Sequence, residues 1–166
     1  MTNRKMTTLA LLTGVSLIIF TVELQIPNPF PIPGVKIGLA NIITVYAVYH
    51  YRPQEVFMMV FSRIFLAAIF GGNMMTLAFS FIGSLFCLLG MIFLRSFIDE
   101  KHLWISSIFG AVLHNIGQLC VAVCIMGVSV LAYLPFLLLA GCMAGSFTGA
   151  VCCFVSHRLK TVNTQV

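Results

Sequence analysis

Arg63, His114, Asn115 and Gln118 are the side chains in this chain of 166 residues most able to bind a ligand, because each stands inside a long apolar run. A guanidinium held away from water needs a counter-charge or several carbonyl groups around it. Glu23 is the one carboxylate expected in the same half of the chain's spans, so Arg63 either pairs with Glu23 or awaits an anionic ligand. His114 and Gln118 are four residues apart and share a helix face, and Asn115 lies three before Gln118, so one stripe presents all three. Asn41 adds an amide in the run before. These amides either orient a ligand or hydrogen-bond between helices. Lys36, expected at the start of a helix, either meets an anion with the help of the free N–H groups there or snorkels to the interface. Asn73, in the turn that follows the Arg63 run, joins the same set of candidates.

The chemistry excluded is as informative. Cys120, Cys124 and His114 lack the CxxC or HxxxH spacing of a metal site, and no metal or other cofactor is expected. Asp99 and Glu100 form the sole acidic pair, so the clustered carboxylates that hold magnesium on a diphosphate are missing. Neither a Walker A sequence nor a dinucleotide fingerprint is present. The chain is therefore not expected to be an enzyme.

The elements that position these groups follow from composition. The chain is 60% hydrophobic and 8% charged, with a mean hydropathy of +1.08. A hydrocarbon core about 30 Å thick needs roughly 20 apolar residues per helix, which leaves room for six short spans and no soluble domain. The expectation is a single all-α integral membrane domain over residues 1–166, with spans at 6–25, 35–51, 54–70, 74–94, 103–126 and 129–156. The first run follows Arg4 and Lys5 but ends without a small-residue cleavage site, so it reads as a retained helix. All six cysteines fall in apolar runs, where a free thiol behaves as a small hydrophobe.

Between the first two spans, Pro27, Pro29, Pro31 and Pro33 forbid a helix, and the stretch reads as a stiff extended strap that orders at little entropic cost. Gly71, Gly72 and Asn73 predict a tight turn that makes the third and fourth spans a hairpin. Pro135 is expected to bend the sixth span, while Gly141, Gly145 and Gly149 give it a flat packing face. With both termini placed in the cytoplasm, Arg4, Lys5, Arg52, Arg95, Lys101, Arg158 and Lys160 fall on the inner side and Lys36 alone on the outer. The positive charge thus serves orientation and anionic lipid, and nucleic-acid binding is not expected. The polar groups then gather in the outer half, in a pocket open to the outside and roofed by the strap.

Three stretches together resemble a known family: FPIPGVKIGLANI at 30–42, SRIFLAAIFGG at 62–72 and GAVLHNIGQL at 110–119. They are similar to the Gx transporter family, also called heptaprenyl diphosphate synthase component I, which is similar in turn to the substrate-binding S components of energy-coupling factor transporters. The resemblance implies an S-component-like bundle in a bacterial cell membrane. It also implies a small-molecule ligand, and partners comprising a membrane coupling subunit with ATPases in trans. Ala10 and Gly14 stand where that family's AxxxA-like docking motif would lie, with Gly14 replacing the second alanine. The alternatives are a non-catalytic membrane subunit of polyprenyl diphosphate or quinone metabolism, and a membrane anchor of a redox assembly.

Overall fold

The computed structural model describes residues 3–25, 38–71, 74–99 and 102–163. Among these residues six α-helices follow one another: α1 (Asn3–Gln25), α2 (Asn41–His50), α3 (Pro53–Gly71), α4 (Met74–Arg95), α5 (Leu103–Met126) and α6 (Leu134–Asn163). Among the described residues, five stretches are long and apolar enough to cross a bilayer: Asn3–Glu23, Pro53–Phe70, Leu77–Arg95, Leu103–Met126 and Val128–His157. The chain is a multi-pass membrane protein.

The second span, expected over residues 35–51, is corrected. Its helix α2 has 10 residues, about 15 Å at the usual rise and half of what a bilayer requires. Residues 39 and 40 form a turn instead, and Gly38 sits at φ +80°, a backbone conformation that interrupts a helix. Among the described residues this helix begins at Asn41. Lys36 itself, Asn73 and the proline strap lie outside the described residues.

Cross-helix contacts define the directions. Lys5 pairs with Glu55 at 2.8 Å and Ser16 meets Arg63, so α1 and α3 run parallel. Asn41 touches Cys87 and the Arg95 guanidinium reaches Val48, so α2 runs parallel to α4 and starts level with its middle. The Arg95 Nη1 donates to the carbonyls of Val48 and Tyr51 at 2.6 and 2.8 Å, closing the C-terminus of α2 with a cation where the helix dipole favours one.

Glycines set how closely the last three helices approach. A Cβ at Gly145 would lie 2.5 Å from the Ile108 Cα, and one at Gly149 would lie 2.6 Å from the Trp104 Cα. The flat face of α6 therefore packs against α5. Gly117 of α5 meets Gly83 of α4 in the same way, a Cβ there lying 2.9 Å from the Gly83 Cα. Small residues admit such approach, and dispersion between the two backbones replaces the hydrophobic effect that lipid cannot supply. Pro135 does not bend the interior of its helix. A six-residue 3-10 helix, Val128–Tyr133, comes first, and the proline occupies the opening turn of α6, where its missing N–H has no intrahelical partner to lose.

The packed apolar core joins Val45, Ala47 and Val48 of α2 to Val56, Met59 and Val60 of α3 and to Cys87, Leu88 and Met91 of α4. It fills the half of the bundle that α2 occupies. Where α2 has not begun, the described residues leave a hollow, while Phe79 of α4, Leu119 and Ala122 of α5, Val130 of the 3-10 helix and Leu137 of α6 form a second packed apolar cluster.

Candidate functional site

The hollow is a cavity of about 620 Å³ whose wall is mostly carbon. Glu23, Asn41, Arg63, His114, Asn115 and Gln118 all line it, six side chains from four different helices. Ser80 and Ser84 of α4 line it too, and sequence reasoning missed both. Their signal is the spacing of Ser80, Gly83, Ser84 and Cys87, a small-residue face on α4 turned toward α5.

Arg63 is 7% exposed. Its Nη1 donates to the Ser16 hydroxyl at 2.9 Å, to the Ala40 carbonyl at 3.1 Å and to the Thr44 hydroxyl at 3.5 Å. Ser16, which sequence reasoning also passed over, is fully buried and donates in turn to the Ala40 carbonyl at 3.4 Å. Non-helical backbone survives at membrane depth only where protein satisfies its polar groups. That is the local reason for this cluster: Arg63 and Ser16 hold the carbonyl freed where α2 starts, and the Glu23 carboxylate accepts the Gly38 N–H.

Arg63 and Glu23 therefore share a cavity without forming an ion pair. Each bonds the backbone of residues 38–40 instead, Glu23 at the Gly38 N–H and Arg63 at the Ala40 carbonyl. A guanidinium carries five N–H donors in a rigid fork, and all three hydrogen bonds of Arg63 among the described residues leave from Nη1. Asn41, where α2 begins, lines the same wall together with Gly38, Leu39 and Ala40 before it, and the helix start has no side-chain cap, so the positive end of its dipole adds to the Arg63 charge.

The amides divide. Asn115 donates from Nδ2 to the Leu137 carbonyl at 2.8 Å, a bond between α5 and α6. Asn41 makes long contacts with the Cys87 thiol, 3.4 and 3.6 Å, between α2 and α4. Both thus link helices while lining the cavity. Gln118 is 2% exposed and His114 half-buried, and both lie against Gly83, where a Cβ would be 3.0 Å from each side chain. Gly83 leaves room for them to turn inward. Ala10 and Gly14 lie apart from all this, exposed on α1, and a Cβ at Gly14 would meet nothing within 4 Å.

Residues 12–155 match the family model of heptaprenyl diphosphate synthase component I. The chain belongs to that family. No curated protein and no solved structure matches it. The matched range takes in every described cavity residue.

Proposed function

We propose that this member of the component I family is a non-catalytic, membrane-embedded binding subunit that takes a small molecule through an anionic group. The observation that carries the reading is Arg63: a buried cation on a cavity wall that, among the described residues, has no carboxylate paired to it and hydrogen-bonds through Nη1 alone. Cavities of this volume suit a single small ligand, with a few polar groups fixing its orientation on an otherwise apolar wall. Native mass spectrometry of the protein purified in mild detergent tests this. A stoichiometric co-purified molecule bearing a carboxylate, phosphate or sulfonate is expected, and a bound molecule with no anionic group would overturn the reading.

In the fuller form of the proposal the subunit is S-component-like, sits in a bacterial cell membrane, and delivers its ligand with a membrane coupling subunit and ATPases. Ala10 and Gly14 are the proposed docking face, since both are exposed and, among the described residues, nothing lies within 4 Å of a Cβ built on Gly14. Replacing both with leucine should cut co-purification with a coupling subunit at least tenfold and leave thermal unfolding unchanged. Equal complex yield would count against this partner.

The proposed orientation puts the end bearing Lys5, Arg52 and Arg95 in the cytoplasm. A single cysteine at position 98, in a background without native cysteines, should then resist an impermeant maleimide in intact cells, while one at position 128 reacts. The reverse pattern refutes it. The second reading, an accessory subunit of polyprenyl diphosphate metabolism, draws on the family name and on the carbon-rich wall of the cavity.

A further inference from the structure

Met143 and Phe147 line the cavity although they are 68% and 56% exposed. Both lie on α6, one turn apart, and Met143 stands at the centre of the stretch Val128–His157 that is long and apolar enough to cross the membrane. At that depth the outside of the bundle is lipid. The cavity therefore has a side opening toward acyl chains, with Arg63, central in its own stretch Pro53–Phe70, at the same level inside.

From this we infer that the ligand is an anionic amphiphile, its head at Arg63 and its chain leaving across Met143 and Phe147 into the bilayer. The inference rests on the anion-binding reading of Arg63 and adds the ligand's other half. A wholly polar solute would leave the carbon wall facing polar atoms it cannot bond, and would have hydrocarbon at its back. A wholly apolar molecule would offer the Arg63 guanidinium on the cavity wall no acceptor. An amphiphile meets both conditions, and it enters from the leaflet without crossing water. The Glu23 carboxylate on the same wall is already engaged, accepting the Gly38 N–H.

The probe is a twelve-carbon alkyl phosphate carrying a diazirine on its chain, added to the protein in phosphatidylcholine nanodiscs. After photolysis, peptide mass spectrometry should find saturable labelling on α6 around Met143 and Phe147. Excess dodecyl phosphate should reduce it at least tenfold, ethyl phosphate and dodecanol less than twofold, and Arg63→Lys should lower it about tenfold. Labelling that ethyl phosphate suppresses as well as dodecyl phosphate would overturn the amphiphile and leave the anion site standing. Labelling that dodecanol suppresses, and that ignores Arg63→Lys, would remove the anion site and the inference together. Absent or unsaturable labelling overturns the inference, while the co-purified ligand still judges the proposed function separately.

Discussion

Arg63→Lys is expected to leave the protein folded and to lower occupancy by its co-purified ligand about tenfold or more, whereas Arg63→Met should lose the ligand and unfold more readily. The two substitutions separate the two tasks of one side chain. A lysine ammonium retains the charge and three donors, enough to hold the Ser16 hydroxyl and the Ala40 carbonyl that Nη1 now holds. It cannot also present a second, coplanar pair of donors to a ligand, and a bidentate bond to a carboxylate or phosphate is the strong kind. Methionine removes every donor. The Ala40 carbonyl would then depend on the longer Ser16 bond of 3.4 Å, and leaving a buried polar group short of a partner costs about 1–3 kcal/mol. Ligand occupancy is read by native mass spectrometry and stability by thermal unfolding in detergent. If the lysine variant keeps full occupancy, Arg63 serves the backbone alone and the anion site is wrong.

Gly145→Leu should be the most disruptive single change on α6. The Cβ alone would come within 2.5 Å of the Ile108 Cα and 3.0 Å of the Ser107 carbonyl oxygen, and backbone cannot swing aside as a flexible side chain does. Overpacking of this kind costs about 1–3 kcal/mol or more. Relief comes from separating α5 and α6, which would also strain the Ser107–Thr148 hydroxyl bond of 2.8 Å and the Asn115 bond to Leu137. The matched control is Gly14→Leu, the same substitution at an exposed helical glycine with nothing near its Cβ, where the change should stay within about 0.5 kcal/mol. A large fall in unfolding temperature for Gly145→Leu beside little change for Gly14→Leu is expected. Equal effects would mean that glycine's helix propensity, and not the close contact of α5 with α6, governs both.

What the sequence determined alone rests on local and additive signals. Apolar run length marks α1, α3, α4, α5 and α6, because a bilayer-crossing helix must be apolar along its whole length wherever its neighbours are. The four-residue spacing of Gly141, Gly145 and Gly149 marks a packing face, and the three- and four-residue spacing of His114, Asn115 and Gln118 places them on one stripe, since helical geometry needs no tertiary information. The match to the component I family covers residues 12–155 and agrees with the resemblance drawn from residues 30–42, 62–72 and 110–119. Tertiary structure decided the rest. Whether residues 35–51 would be a full span depended on whether distant groups could satisfy a broken backbone at membrane depth. Ser16, Glu23 and Arg63, between 15 and 24 residues from the atoms they bond in residues 38–40, do so. A hydropathy average cannot register such partners, because it weighs each residue without regard to what lies across from it. The same half-length helix leaves the space that becomes the cavity, and so brings Ser80 and Ser84 into the site and puts the exposed Met143 and Phe147 on its edge.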